Sequence, residues 1–195
     1  MVCRALVLST SAVHLAPLWP IVNGSLQSAL MSLLPHSPEG NSFGNLSLLQ
    51  TCKLLDLLIA VSPDEFQLHE WLYITDTIDA VYQPLQWASA ALSDQVAEAL
   101  TSYGTEDLGG SVEPATFPSN VAGRRRPLLD NTSLSNKEDI KAMARDDFAR
   151  VIIKPFLGQL SLHAYEGVYS MDSADIGACR RNLLEDILDL SSIVE

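Results

Sequence analysis

Charged residues are scarce in this sequence, and the basic ones are the scarcer kind. Of its 195 residues 18% are charged, whereas about a quarter is usual. Lysine and arginine number 12 against 24 aspartates and glutamates, which gives a net charge of -12. General nucleic-acid binders neutralise phosphates with a basic surface, so the composition argues against that class. No apolar run approaches the roughly 18 residues that a membrane-spanning helix needs.

Cysteine is also scarce. Cys3, Cys52 and Cys179 are far apart, odd in number and without a CxxC pair. The spacing therefore predicts neither a zinc site nor a disulfide framework. We expect three buried or half-buried thiols in a reducing compartment.

The first residues do not have the pattern of a signal peptide. Arg4 precedes a short apolar run, but the Ser-Thr-Ser of 9–11 interrupts it. His14 also stands where a cleavage site requires a small residue. A helical pattern that begins almost at Met1 leads us to expect a fragment of a larger protein.

Catalytic signatures are lacking too. The sequence has no G-x-S-x-G, no phosphate-binding loop and no histidine pair at metal-ligand spacing. His163 and Glu166 are expected to form a surface polar pair, since they are three residues apart on a helix. The adjacent carboxylates at 146–147 and 185–186 point about 100° apart, so we expect solvated faces rather than a catalytic clamp. We predict a protein that is not an enzyme and needs no cofactor.

Apolar residues are abundant at 47%, and most of them recur at helical spacing. The pattern predicts helices over 2–13, 17–34, 46–61, 62–72, 84–103, 136–164 and 173–190, with Pro155 expected to kink or break one of them. The predicted fold class is all-α, as an irregular helical bundle or a short solenoid of antiparallel helix pairs. We expect a single helical domain over 1–195. Trp19, Trp71 and Trp87 are predicted to pack in its core, with a partner groove as the alternative.

The stretch 46–61 predicts the central helix. Its polar residues form one narrow stripe (Ser47, Gln50, Lys53 and Asp56) on an otherwise apolar cylinder. Such a helix must be covered on several sides. Ser62 and Glu65 then fit a capping box that starts the next helix.

Residues 105–135 are predicted to be a flexible insertion, because Gly, Pro, Ser and Asn leave too little apolar surface to order them. The chain's one basic cluster, Arg124, Arg125 and Arg126, lies in this segment. One interpretation is contact with anionic lipid headgroups, although such sites usually hold four to eight basic residues. The other is pairing with the chain's own acids.

The last predicted helix has a wide apolar face that includes Leu183, Leu184, Ile187 and Leu188, with Glu185, Asp186 and Asp189 expected on its solvated side. Two interpretations stay open. The face is covered within its own domain, or it packs against a second copy, since helix pairs at two-fold axes are common dimer interfaces.

Several phrases of the sequence resemble the C-terminal region of the Dopey family. They are 48–58, 62–67 with 70–71, 124–129, 154–157, 165–166, Cys179 and 183–184. The resemblance covers most of the chain outside 1–15 and 104–120. These are leucine-rich helical phrases, not catalytic signatures.

The resemblance implies a very large scaffold, cytoplasmic and peripheral on Golgi and endosomal membranes, that supports membrane trafficking. Implied partners are a large protein related to Arf exchange factors and an aminophospholipid flippase. It also implies self-association, which we assign to Leu183, Leu184, Ile187 and Leu188. The expected function is a non-catalytic interaction and homodimerisation domain of such a scaffold. The alternative is an anionic-lipid (phosphoinositide) module that uses Arg124, Arg125 and Arg126.

Overall fold

The structure is a computed structural model that describes residues 1–34, 43–74, 91–102, 124–130, 134, 137–169 and 173–189. Ten α-helices lie in this part of the chain: α1 (Val2–Ser9), α2 (Ala12–Leu15), α3 (Trp19–Met31), α4 (Asn45–Val61), α5 (Asp64–Gln67), α6 (Leu92–Ser102), α7 (Lys137–Ala142), α8 (Arg145–Phe148), α9 (Lys154–Tyr169) and α10 (Ile176–Leu188). Short 3-10 turns cover Ala16–Leu18 and Glu70–Leu72, and a π-helical turn covers Ala149–Ile153. The predicted all-α fold class is confirmed.

The strands of the described chain form one short ribbon. β1 (Arg124–Arg125) pairs in parallel with β2 (Ser173–Ala174), with Arg124 opposite Ser173. The ribbon brings the segment 124–130 against the start of α10. Leu128 and Leu129 are then buried, so 124–130 packs as part of the helical body. The flexibility predicted for the rest of 105–135 stays a prediction, because all of it except residue 134 lies outside the described residues.

Helix α4 is the centre of the molecule, as its composition predicted. It packs against α1, α3, α7 and α9. The side chains of Leu48, Leu49, Leu55 and Leu58 are fully buried. Asn45 fixes the start of the helix, since its amide Nδ2 donates to the carbonyls at the end of α7, 3.0 Å and 2.8 Å away. Two members of the polar stripe, Lys53 and Asp56, are buried as well.

The predicted helix over 2–13 is interrupted. It ends at Ser9, whose hydroxyl donates to the carbonyl of Ala5, and Thr10 is extended. The chain becomes helical again at Ala12. Serine and threonine offer the backbone such local alternatives to helix.

The predicted capping box at 62–65 is wrong. Ser62 ends α4 in the left-handed region, with φ 44°, and its hydroxyl donates to the carbonyl of Ile59 at 2.8 Å. The residue before α5 is Pro63, which has no capping side chain. Ser62 therefore ends α4 and does not open α5.

Two other local predictions have different outcomes. Pro155 is the second residue of α9, directly after the π-helical turn. The chain stays helical from Arg145 to Tyr169, so Pro155 does not break the helix, and the irregularity beside it is the π-helical turn. Of the tryptophans, Trp19 is buried against the ring of Phe66, whereas Trp71 is 61% exposed, so its predicted core position is wrong. Trp87 lies outside the described residues.

Candidate functional site

The last helix, α10, has a defined start. The carboxylate of Asp175 accepts a hydrogen bond from the backbone N–H of Ala178 at 2.9 Å, which caps the helix. That hydrogen bond holds the pKa of Asp175 below its usual range. Ser173, which the sequence suggested as the cap, lies in β2 instead. The predicted cap is two residues too early, because the ribbon uses 173–174.

One side of α10 faces the core. Cys179 and Leu183 pack there with 1% and 7% of their surfaces exposed. Asn182 and Asp186 lie on the same side and are also buried. Asp186 was expected on the solvated side, and that expectation is wrong.

The opposite side of α10 is an apolar surface exposed to solvent. Leu184, Ile187 and Leu188 are 55%, 41% and 78% exposed. Of the four residues predicted to form an interface, the structure therefore brings these three together and places Leu183 in the core. We call Leu184, Ile187 and Leu188 the apolar ridge.

A buried ion cluster lies on the inward side of α10, opposite the apolar ridge. The carboxylate of Asp186 is 2.6 Å from Arg4 Nη1 of α1 and 2.9 Å from Lys53 Nζ of α4. All three side chains are at most 3% exposed. One carboxylate thus joins three helices that are far apart in sequence.

Amide groups extend this cluster. Gln50 Oε1 accepts from Arg4 at 2.9 Å. Asn182 Oδ1 accepts from Arg4 at 3.3 Å and from Lys53 at 3.4 Å. Its Nδ2 donates to the carbonyl of Leu129 at 2.8 Å, so the cluster also holds the segment that follows β1.

Asp56 completes the network from α4. Its Oδ2 accepts from the backbone N–H of Leu129 at 2.9 Å. Burial raises the pKa of Asp56 to about 7, although the backbone N–H groups and the nearby cations Arg4 and Lys53 lower it. The charge of Asp56 therefore changes near neutral pH.

Sequence reasoning missed this cluster. Lys53 and Asp56 were recognised as polar positions on the most apolar helix, and that conflict was the available signal, because polar side chains on a covered helix need partners. Nothing in the sequence pairs them with Arg4 and Asp186. Breaking a buried ion pair costs about 3–5 kcal/mol. The cluster therefore strongly favours one orientation of α10 against the core.

The basic cluster is divided among different environments. Arg124 is exposed. Arg125 is half-buried in the ribbon, and its Nη1 lies 3.4 Å from the carbonyl of Ile59. Arg126 Nε is 3.4 Å from the carboxylate of Asp175. Two of the three side chains therefore have contacts within the fold.

The other reactive side chains are buried. Burial raises the pKa of the Cys52 and Cys179 thiols to about 12, which disfavours the nucleophilic thiolate. His163 is 3% exposed, so its expected surface position is wrong. Burial lowers the pKa of this imidazole to about 4. Across the described segments, no group of three or more His, Cys, Asp or Glu is placed to hold a metal ion.

A groove of about 320 Å³ lies between α1, α3 and α4. Apolar side chains such as Phe43 and Leu54 line it together with hydroxyl groups. Its two largest polar groups, Arg4 and Gln50, are hydrogen-bonded to each other. No Asp, Glu or His from the described ranges lines the groove, so it offers no pair of groups for acid–base chemistry. None of the described helices is both long and apolar enough to span a bilayer.

Comparison with known proteins decides the family. A sequence model described as DOP1 C-terminal matches residues 1–170. The chain belongs to the DOP1 C-terminal family. Protein dop1 of Emericella nidulans is 38% identical over 195 residues, which are 99% of this chain and 10% of that protein. Protein DOP1 of Saccharomyces cerevisiae is 28% identical over 186 residues, 95% of this chain and 10% of that protein. No solved structure matches.

The chain therefore spans about a tenth of the length of these two DOP1 proteins. The family match ends at residue 170, so it covers Arg4 and Lys53 but not α10. The alignment with the Emericella nidulans protein covers 99% of this chain and therefore includes α10. The family assignment thus confirms the Dopey resemblance that the sequence showed.

Proposed function

We propose that this chain is a non-catalytic helical interaction domain that forms a homodimer through the outward face of α10, within a large scaffold of membrane trafficking. One observation supports the dimer above all others. The apolar ridge points to solvent while the other side of the same helix is held by buried ions. Exposed apolar surface of this kind is typical of interaction sites.

The buried ion cluster fixes the orientation of α10, and this makes the apolar ridge a rigid surface. If the helix could turn by about 180° around its axis, Leu184 would reach the core and Leu183 would leave it. Such a turn would separate Asp186 from Arg4 and Lys53 and leave buried charges without partners. The ridge is therefore not a face of α10 that could be buried in the core by a rotation of the helix. Burying its three side chains against a partner removes apolar surface from water, worth about 25 cal/mol per Å².

Sedimentation at several protein concentrations tests the dimer. The wild-type chain should show a concentration-dependent dimer, and Leu184→Asp should be monomeric with an unchanged unfolding midpoint. Leu162→Asp is the matched control, because Leu162 is also an exposed helical leucine, 58% exposed on α9. This control should dimerise like the wild type.

Three results would count against the proposal. A wild-type monomer at every concentration would rule out self-association by this chain. Unfolding of Leu184→Asp would show that Leu184 acts as a core residue. Equal loss of the dimer in Leu162→Asp would place the contact elsewhere or make it nonspecific.

The trafficking part of the proposal rests on the DOP1 family and the Dopey resemblance. It includes a cytoplasmic, peripheral position on Golgi and endosomal membranes. The proposed partners are a large protein related to Arf exchange factors and an aminophospholipid flippase. Full-length scaffold with and without Leu184→Asp should be compared by pull-down and by imaging on Golgi membranes. Retained partners with lost self-association would assign α10 to the dimer alone.

The anionic-lipid alternative has less support from the geometry. Arg125 and Arg126 contact Ile59 and Asp175, so lipid contact would fall mainly to Arg124. Flotation with phosphoinositide vesicles tests it, comparing wild type with a variant in which all three arginines are alanine. Binding that depends on these arginines would favour this function over the dimer.

A further inference from the structure

A second exposed surface lies on the helices near the start of the chain. The backbone stays helical from Ala12 to Met31, through α2, the 3-10 turn and α3. Four exposed residues recur at every fourth position along this stretch: Val13, Pro17, Ile21 and Ser25. Side chains four residues apart are neighbours on a helix surface. These positions therefore form one row, which we call the uncharged face.

The uncharged face lies in a part of the chain without ionic side chains. Residues 5–38 contain no Asp, Glu, Lys or Arg. The largest side chains of the face, Val13 and Ile21, are 81% and 62% exposed. The cores of protein–protein interfaces are depleted in charged residues, whereas a helix that lies on a membrane usually has lysine and arginine beside its apolar residues. The composition therefore favours a protein partner over a lipid surface.

The uncharged face leads into the groove between α1, α3 and α4. Ser25 and Ala29, which is one turn further along α3, both line that groove. Among the described residues that line it, Arg4 alone has a charged side chain, and Asp186 pairs with it at 2.6 Å. The groove's volume of about 320 Å³ is roughly twice that of an engineered cavity that binds benzene. It therefore has room for one or two large apolar side chains of a partner.

Gly24 permits a close approach beside the same row. It lies within α3, although glycine is a poor helix former. A Cβ atom added at this position would meet no heavy atom within 4 Å, so packing inside this chain does not require the glycine. A residue without a side chain lets a second backbone approach. Rows of side chains four residues apart pack into the matching grooves of another helix, so the surface fits a helix.

We propose that the uncharged face and the groove hold an apolar helix from the part of the DOP1 scaffold that lies outside this chain. The chain corresponds to 10% of each of two DOP1 proteins, so most of such a scaffold is available to supply the helix. A helix in the same polypeptide reaches the face at a high effective concentration, and a contact of modest area therefore suffices. The apolar ridge lies on a different helix, so this inference does not depend on the homodimer.

The native thiol of Cys3 reports whether the groove is filled. Cys3 lines the groove and is half-buried, whereas Cys52 and Cys179 are buried. Maleimide labelling, followed by mass spectrometry of the peptide that contains Cys3, should be compared between this chain alone and the full-length scaffold. Labelling should be about tenfold slower in the scaffold, because a groove filled about nine-tenths of the time leaves the thiol open for the remaining tenth.

Two substitutions on the exposed surface should restore the labelling rate in the scaffold. Ile21→Asp places a charge on the uncharged face, and Gly24→Leu fills the space that the second backbone needs. Both variants of the chain alone should fold, because Ile21 is exposed and the space beside Gly24 is open. Leu162→Asp is the matched control, since Leu162 is an exposed leucine on α9, and it should leave Cys3 protected in the scaffold.

The outcomes identify the occupant of the surface. Equal labelling of Cys3 in the chain and the scaffold would overturn the proposal, and so would slow labelling that neither Ile21→Asp nor Gly24→Leu restores. Labelling of the chain alone that slows as its concentration rises would assign the surface to a second copy instead. Slower labelling with vesicles of phosphatidylcholine and phosphatidylserine would assign it to a membrane, and either result would overturn the proposal. Slow labelling in the scaffold that these two variants relieve, and Leu162→Asp does not, supports it.

Discussion

Removing the shared carboxylate of the buried ion cluster should destabilise the protein more than any surface change. In Asp186→Ala, the guanidinium of Arg4 and the ammonium of Lys53 lose an anion at 2.6 Å and 2.9 Å. Both cations stay buried, so neither recovers its hydration. A buried pair broken at one partner costs about 3–5 kcal/mol. With two stranded cations we expect the upper end, about 5 kcal/mol of unfolding free energy.

Urea unfolding followed by circular dichroism measures this loss. Asp147→Ala is the matched control, because Asp147 forms an ion pair of similar length, 2.9 Å, with Arg150, and both side chains are about half exposed. An exposed pair contributes about 0–1 kcal/mol, so the control should be nearly neutral. Hydrogen exchange should show whether the backbone amides of α10 lose protection before those of the other helices, as expected for a helix that few other contacts hold in place.

A second variant keeps the reasoning testable if Asp186→Ala does not fold. Replacing Arg4 and Lys53 by Met and Asp186 by Leu removes all three charges with similar volume. Such replacements are often neutral or stabilising, so this variant should fold and lose much less stability than the single one. A single variant within 1 kcal/mol of wild type, or a triple variant as unstable as the single one, would refute the account.

Three further predictions concern titration and capping. Asp56 has its pKa raised from 3.8 to about 7, so the folded chain binds the extra proton, and raising the pH from 4 to 7 should lower the free energy of unfolding by about 3 kcal/mol. Asp56→Asn should remove this trend in urea unfolding at a series of pH values. His163 has its pKa lowered from 6.5 to about 4, so falling pH over that range should lower stability by about 3 kcal/mol, and His163→Leu should remove this opposite trend. Asp175→Ala should cost about 1 kcal/mol through the lost cap, whereas Arg126→Ala should stay within about 0.5 kcal/mol. A pH profile unchanged by either titration variant, or equal losses at 126 and 175, would contradict these assignments.

Helical periodicity located most elements because it is a local property. The leucines of 46–61 require cover on nearly every side, and α4 is indeed surrounded. Pro155 indicated an irregular helix, and a π-helical turn lies directly before α9. The failures arose where a polar side chain had two local options. Ser62 could cap the next helix or close the previous one, and in the structure it closes the previous one.

Leu183, one of the four residues assigned to the interface, lies in the core for a similar reason. Leu183 and Leu184 are adjacent, and their side chains point about 100° apart. A surface centred on Leu184 that includes Ile187 and Leu188 therefore leaves Leu183 on the side of the core. Hydrophobicity does not choose between them. Trp71 is a further case. Helical spacing predicted core positions for both Trp19 and Trp71, but only Trp19 is buried.

The sequence by itself determined the helical class, the central place of α4, the family and the apolar excess of α10. These follow from local spacing and from similarity along the chain. The tertiary structure alone decided which side of α10 faces outward. That choice depends on Arg4 and Lys53, which lie 182 and 133 positions from Asp186. Only folding brings the three charges together, and a charge buried without a partner costs more than the exposure of one leucine.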